Sequence, residues 1–145
     1  MNIIALRGTS RRGKTHTIGM LRNILLQRGY QLIEDTFEKV EKDFISIFTK
    51  DDKLIGISSS GDLYEIVKSN LDYLISRGCT SCICACHTRD NERRGIIRGT
   101  NAAINSFVDF DREFVDKTIE NDEDKQDNVN QADAVILFTK LDSLV

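Results

Sequence analysis

The sequence predicts a three-layer α/β domain with a mainly parallel sheet that carries one antiparallel hairpin. Short apolar runs alternate along the chain with longer segments in which apolar residues recur at helical spacing. Such alternation is typical of helices that pack on both faces of a parallel sheet. The chain has 145 residues, of which 40% are hydrophobic and 30% are charged. Because this length suits one hydrophobic core, we expect residues 1–145 to form a single domain.

The first predicted unit is a buried strand followed by an amphipathic helix. The apolar run at residues 2–7 has the length and the Ile and Leu content of a buried parallel strand. Apolar residues then recur at helical spacing from Ile18 to Leu25, and Gly29 is placed to end the helix. A strand, a loop and a helix are therefore expected in this order.

The loop between this strand and this helix matches the phosphate-binding pattern G-x-x-x-x-G-K-[ST]. Its residues are Gly8, Thr9, Ser10, Arg11, Arg12, Gly13, Lys14 and Thr15. The glycines allow a tight turn that directs consecutive N–H groups at one anion. Lys14 can reach the β- and γ-phosphate oxygens, and the Thr15 hydroxyl can coordinate the Mg²⁺ that bridges them. With His16 at the positive end of the helix, residues 8–16 are the predicted nucleotide-binding segment.

The segment Asn2–Gly29 resembles the opening βα unit of the P-loop NTPase superfamily, with a Walker A loop matched at every defined position. Beyond this segment the likeness rests on the general α/β pattern. The resemblance implies Mg²⁺-dependent binding of a nucleoside triphosphate, and a small nucleotide kinase or a stand-alone ATPase is the expected type. It does not by itself choose between a kinase, an ATPase and a GTPase.

A hairpin is predicted after a short second strand. Residues 31–33 can form that strand, and the charged segment Glu34–Lys42 is expected to be a connector. The apolar runs Phe44–Phe48 and Leu54–Ile57 flank the turn Lys50–Lys53, an arrangement typical of an antiparallel hairpin. The hairpin would add antiparallel strands to an otherwise parallel sheet.

Asp62 has two alternative roles at the start of the next predicted helix. This helix follows apolar positions from Leu63 to Ile75, and Gly78 is placed to end it. At the end of an apolar strand beside the phosphate loop, the Asp62 carboxylate could hold Mg²⁺ and serve catalysis, as a Walker B Asp does. Alternatively, Asp62 caps the helix, and Glu65 completes a capping-box-like pair.

All four cysteines lie in the segment Cys79–Cys86. In an extended strand Cys82, Cys84 and Cys86 would be spread along one face, whereas tetrahedral zinc needs ligands that converge. The spacing therefore favours a buried central strand over a zinc site. Neighbouring cysteines of one strand are also poorly placed for disulfide bonds.

An arginine-bearing loop at residues 87–99 follows the cysteine strand. Ligands of open α/β sheets bind at the carboxyl ends of the strands, so we expect this loop on the phosphate side. Arg89 is nearest to the strand end and is the predicted catalytic group that offsets charge during transfer. His87 shares this edge, although a lone histidine is more often structural. Three other arginines could take the same part: Arg93, Arg94 and Arg98. The alternative is a solvated basic loop.

Three further elements are predicted after this loop. They are a helix from about Ala102 to Phe110 capped by Thr100 or Asn101, a short strand at Glu113–Ile119 and an acidic loop at Glu120–Asp127.

The last segment, residues 132–145, has two interpretations. As an apolar strand followed by Thr139-Lys140-Leu141-Asp142, it is similar to the guanine-specificity motif of GTPases, in which the Asp binds guanine. As a helix, it places Ala134, Leu137 and Leu141 on one stripe. We favour the helix, because no recognisable DxxG segment follows the phosphate loop.

Composition limits the classes of partner. No apolar run approaches the ~20 residues that a membrane span needs, and Met1–Leu6 is too short for a signal peptide. We therefore expect a cytoplasmic protein without a membrane partner. The net charge of −3 argues against a nucleic-acid binder that relies on bulk electrostatics.

The predicted function is Mg²⁺-dependent binding of a nucleoside triphosphate, ATP before GTP, with phosphoryl transfer to water or to a small-molecule or nucleotide acceptor. Lys14, Arg89 and Asp62 are the predicted catalytic residues, and Thr15 and Asp62 the predicted metal ligands. One alternative is a small GTPase-like protein that uses Thr139–Asp142 for guanine. Another is a nucleotide-gated interaction module with negligible turnover.

Overall fold

The computed structural model of the chain describes residues 1–9, 13–37, 43–93 and 96–145, with the main chain alone for residues 91–93 and 96–98. The strands described are β1 Asn2–Arg7, β2 Gln31–Phe37, β3 Phe44–Lys50, β4 Lys53–Ser58, β5 Ser81–Cys86, β6 Asn91–Arg93, β7 Ile96–Arg98 and β8 Asp111–Asp116. The helices described are α1 Lys14–Gln27, α2 Tyr64–Ser76, α3 Thr100–Asn105 and α4 Glu123–Asp142. Within this part of the chain, no helix is long and apolar enough to cross a membrane.

Six of the strands form one mixed sheet in the order β2-β3-β4-β5-β1-β8. The strands β4, β5, β1 and β8 pair in parallel, whereas β3 pairs antiparallel with both β2 and β4. It follows that β3 alone runs against the direction of the other five. The strands β6 and β7 form a separate antiparallel pair. The predicted α/β class, with a mainly parallel sheet and an antiparallel hairpin, is confirmed.

Helices cover both faces of the sheet. The side chains of Ile4 and Leu6 pack in one core with α1 and α4, and those of Ile3 and Ala5 pack in a second core with α2 and α3. Alternate residues of β1 pack in opposite cores because successive side chains of a strand point to opposite faces. The sheet is thus the middle of three layers.

Several predicted elements are confirmed. The hairpin β3–β4 turns at Asp51 and Asp52, whose φ angles of 53° and 62° are typical of a two-residue hairpin turn. Gly29 and Gly78 follow α1 and α2 with φ angles of 87° and 92°, the left-handed conformation that ends many helices. Residues 81–86 of the cysteine segment form β5, in which all six residues are buried.

Two strand boundaries differ from the prediction. β2 continues to Phe37, into the predicted connector Glu34–Lys42, because Glu34 and Phe37 pair with residues of β3. Residues 38–42 of that connector lie outside the described part of the chain. The last strand occupies Asp111–Asp116 and not Glu113–Ile119, because its register follows its pairing with β1 along the whole strand. Cross-strand pairing therefore extends or moves elements that the apolar pattern marks only in part.

Two helical boundaries also differ from the prediction. α3 ends at Asn105, and its N-cap is Gly99, so capping by Thr100 or Asn101 is wrong. The Thr100 hydroxyl instead accepts a hydrogen bond of 2.7 Å from the main-chain N–H of His87. The predicted acidic loop is wrong in its second half, because α4 begins at Glu123 and is capped by the Asp122 side chain.

The chain ends in the predicted helix, α4. Thr139–Asp142 forms the last turn of this helix, and Asp142 Oδ1 accepts a hydrogen bond of 2.6 Å from the Tyr30 hydroxyl. Tyr30 follows the C-terminal end of α1, about 20 Å along that helix from its first residue, Lys14. The strand interpretation is therefore wrong, and Asp142 is not placed for guanine recognition beside the phosphate loop.

Candidate functional site

Loops from both halves of the chain meet at the edge of the sheet where the parallel strands end. β1 and β5 are neighbours, but β1 leads to α1 on one face and β5 leads towards α3 on the other. Adjacent strands whose connections leave on opposite faces form a topological switch point, and the crevice outside it is the usual ligand site of open α/β sheets. The predicted phosphate loop begins at this crevice with Gly8.

The side chain of Lys14 lies in this crevice. Its Nζ donates hydrogen bonds of 2.7 Å to the Gly8 carbonyl and 3.0 Å to the Cys86 carbonyl, at the ends of β1 and β5. Lys14 is 7% exposed, and this burial lowers the pKa of its ammonium, while the charge of Asp62 opposes the shift. Among the described residues, no carboxylate lies within ion-pair distance of Nζ. A buried cation held only by carbonyl dipoles is well suited to bind an anion.

The two glycines of the loop are required by its geometry. Gly13 has a φ angle of 84°, and a Cβ there would lie 2.8 Å from Oδ1 of Asn130 on α4. A Cβ on Gly8 would lie 3.0 Å from Cβ of Lys117, beyond the end of β8. Ser10, Arg11 and Arg12 lie outside the described residues. The described ends of the loop thus fit tightly against α4 and the segment after β8.

The Thr15 hydroxyl contacts an acidic residue, Asp43, that was not predicted from the sequence. The Thr15 hydroxyl donates to Oδ1 of Asp43 at 3.2 Å, and the Ser59 hydroxyl donates to the same oxygen at 2.9 Å. Asp43 is 8% exposed and directly precedes β3. Because β3 is antiparallel, its beginning lies at the edge where its neighbours end. The predicted hairpin could have identified Asp43, because it implies that β3 is antiparallel and begins at this edge.

Asp62 pairs with His87 instead of capping a helix. The N-cap of α2 is Leu63, which makes no side-chain cap bond, so the alternative in which Asp62 caps this helix is wrong. Oδ1 of Asp62 lies 3.3 Å from Nε2 of His87. The preceding Gly61 packs on the end of β5, where a Cβ would lie 2.8 Å and 2.9 Å from the carbonyl carbon and oxygen of Ala85.

Of the remaining predicted residues, Arg89 and His16 are described with their side chains. Arg89 is exposed in the turn after β5. The predicted loop 87–99 contains the antiparallel strand pair β6–β7, and the side chains of Arg93, Arg94 and Arg98 lie outside the described part. His16 is exposed, with Nε2 3.6 Å from Oδ1 of Asp127.

A cavity of about 430 Å³ adjoins the phosphate loop on the side of β8. Thr9 of the loop, Thr88 beyond β5 and Ile119 beyond β8 contribute to its wall. Its volume lies within the range of small-molecule sites. This cavity was not predictable from the sequence, because no local pattern indicates that β8 lies beside β1.

A buried ion pair supports the wall formed by the segment after β8. Nζ of Lys117 donates to Oδ2 of Asp133 on α4 at 2.7 Å, and the two side chains are 1% and 2% exposed. The main-chain N–H and the hydroxyl of Thr118 also donate to this carboxylate, at 2.9 Å and 2.7 Å. The pair therefore anchors α4 to the end of β8, next to Gly8.

The chain matches no protein-family model, no curated protein and no solved structure.

Proposed function

We propose that the chain binds a nucleoside triphosphate, ATP before GTP, together with Mg²⁺, and transfers the γ-phosphoryl group to water or a small acceptor. The observation that carries this proposal is the buried Lys14 ammonium, held by the Gly8 and Cys86 carbonyls at the switch point. An ammonium in such a crevice stabilises phosphate oxygens through charge-assisted hydrogen bonds. We infer that the chain is a P-loop NTPase on this ground and on its Walker A pattern.

The start of α1 supports phosphate binding in the same place. α1 begins at Lys14, and no side chain caps its N-terminus at Gly13. The first N–H groups of a helix lack partners within the helix, and the helix dipole adds partial positive charge there. Phosphate groups are frequent ligands of such a helix start when a glycine-rich loop precedes it.

The residues around Thr15 fit a magnesium ion. Mg²⁺ in nucleotide sites takes one or two protein carboxylates together with phosphate oxygens and water. The Thr15 hydroxyl and the Asp43 carboxylate are 3.2 Å apart, and Ser59 fixes the same carboxylate by a hydrogen bond. Thr15 and Asp43 would hold the ion, which when bound would offset charge on the β- and γ-phosphates. We assign this role to Asp43 in place of Asp62, whose carboxylate is paired with His87.

Two other features of the edge support nucleotide binding. The cavity of about 430 Å³ beside Gly8 and Thr9 has the volume for the nucleoside part of the ligand. The exposed Arg89 remains the proposed group that offsets charge on the transferred phosphoryl group.

A thermal-shift panel tests the proposal. ATP, GTP, ADP and GDP are each added to the wild-type protein with and without Mg²⁺. A ligand at 100 times its Kd adds about 2.7 kcal/mol to the free energy of unfolding when it binds only the folded state. We expect Mg–ATP to give the largest increase in Tm. No increase with any of the four nucleotides would contradict the proposal, and binding without product formation would favour the nucleotide-gated module.

A further inference from the structure

The main chain at His87 is held rigidly at the end of β5. Its N–H donates to the Thr100 hydroxyl at 2.7 Å, and its carbonyl accepts a hydrogen bond of 3.0 Å from the Asn101 side chain. The N–H of Asn101 in turn donates to Oδ1 of Asp90 at 2.9 Å. These bonds join the residue after β5 to the first turn of α3. A functional side chain at position 87 would therefore start from a fixed backbone.

The imidazole of His87 also lies beside a carboxylate. Nε2 of His87 lies 3.3 Å from Oδ1 of Asp62. The Asp62 segment lies close to the end of β5. Gly61 approaches Ala85 so closely that any side chain at position 61 would collide with the Ala85 carbonyl. A carboxylate near Nε2 favours the neutral tautomer that carries its proton there, and that tautomer has an unprotonated Nδ1 that can accept a proton.

The pair lies beside the proposed phosphate site. His87 is the residue after Cys86, whose carbonyl accepts the hydrogen bond from the Lys14 ammonium. The negative charge of Asp62 also acts on this ammonium. It raises the pKa of Lys14, whereas burial lowers it. The His87 side chain is 26% exposed, so an acceptor arriving from solvent can reach its ring.

We propose that His87, oriented by Asp62, is the general base that removes the proton from the acceptor hydroxyl or water. This inference rests on the proposed function of phosphoryl transfer. The acceptor O–H bond breaks, its proton passes to Nδ1 of His87, and the acceptor oxygen forms a bond to the γ-phosphorus. The bond between the γ-phosphorus and the β–γ bridging oxygen breaks, and the nucleoside diphosphate leaves with that oxygen and its electron pair. The imidazolium then releases its proton to solvent.

His87→Ala, Asp62→Asn and a matched control, Asp72→Asn, test the assignment. Asp72 is also an exposed aspartate with one cationic partner, Lys68 at 3.2 Å, but lies on the surface of α2. The Kd of Mg–ATP is measured by calorimetry. Turnover is measured as phosphate release with water as acceptor and as transfer to the hydroxyls of adenosine.

We expect His87→Ala to lower kcat by about 100-fold or more and to leave the Kd of Mg–ATP unchanged. Imidazole added to the buffer should restore part of the lost rate. It would not do so if the substitution had only damaged the structure. Asp62→Asn should lower kcat by about tenfold or more without raising KM for ATP, because the ring loses its orientation. Asp72→Asn should match the wild type.

An unchanged kcat in His87→Ala, or a lost rate that imidazole does not restore, would overturn the assignment. A wild-type protein that binds Mg–ATP but forms no product with either acceptor would also overturn it, and nucleotide binding would still stand. A wild-type protein that does not bind Mg–ATP would overturn the proposed function itself.

Discussion

The Lys14 ammonium donates a hydrogen bond of 3.0 Å to the main-chain carbonyl of Cys86, a residue 72 positions away in the chain. The bond connects the first residue of α1 to the last residue of β5. Because the same ammonium bonds the Gly8 carbonyl, it bridges the ends of β1 and β5. A phosphate oxygen that bonds this ammonium gains a charge-assisted interaction, which is roughly twice as strong as one between neutral groups.

The carboxylate that serves Mg²⁺ can be identified by exchanging each candidate for its amide. Asp43→Asn should reduce the gain in ATP affinity on adding Mg²⁺ by about tenfold or more, because an amide brings no charge to the ion. The measurement is the Kd of ATP at zero and saturating Mg²⁺. A loss of magnesium dependence in Asp62→Asn but not in Asp43→Asn would return the role to Asp62.

Arg89 should act during transfer more than during binding. Arg89→Ala removes a guanidinium from the edge where charge develops, so we expect turnover to fall by about 100-fold while the thermal shift from ATP stays the same. Arg112→Ala is the control, because Arg112 is exposed at the opposite end of β8 and bonds the Asn105 carbonyl. Equal losses of affinity and turnover would indicate that Arg89 acts in binding. No loss of either would indicate that its loop is a solvated surface.

The Lys117–Asp133 pair should be essential to stability. Asp133→Asn leaves the buried Lys117 ammonium without its counter-charge, which we expect to cost about 3–5 kcal/mol in the free energy of unfolding. The double variant Lys117→Met, Asp133→Leu should recover most of this loss, because it removes both charges. Urea denaturation measures both variants. A cost below about 1 kcal/mol in the single variant would show that water reaches the pair.

The hydrogen bond between Tyr30 and Asp142 should make the free energy of unfolding depend on pH in the acidic range. This bond, more than any other contact, holds the pKa of Asp142 below its ordinary value of 3.8. A carboxyl whose pKa is lower in the folded state stabilises the protein above its unfolded pKa and loses that effect as the pH falls through the folded pKa.

Tyr30→Phe should therefore be less stable than the wild type by about 1 kcal/mol at pH 7, a modest figure because Asp142 is partly exposed. The difference should shrink as the pH falls below 3.8, as urea denaturation at pH 7 and pH 2 can measure. A difference that stayed constant across this range would show that Asp142 does not contribute through its charge.

Elements with a local pattern were predictable from the sequence. The apolar run of β1, the helical stripe of α1 and the hairpin β3–β4 each carry their signal within a few residues. The loop pattern from Gly8 to Thr15 is also local, which is why the position of Lys14 at the start of a helix after a buried strand was correctly predicted.

Relationships between distant residues were not predictable in the same way. The buried position of Lys14 depends on the carbonyl of Cys86, and no sequence pattern connects these two residues. The contact between Thr15 and Asp43 depends on the direction of β3, and the pair Lys117–Asp133 depends on β8 lying beside β1. Each needs the strand order of the sheet, which periodicity does not determine.

The binding of Mg–ATP to wild type and to Lys14→Met tests the central claim most directly, with Lys68→Met as the control. Methionine is close to lysine in length, so the fold should survive while the charge that bonds phosphate is lost. Calorimetry should give binding to the wild type and to Lys68→Met, and no measurable binding to a folded Lys14→Met. Equal affinity of all three proteins for Mg–ATP, or no affinity in the wild type, would contradict the assignment of a phosphate site at Lys14.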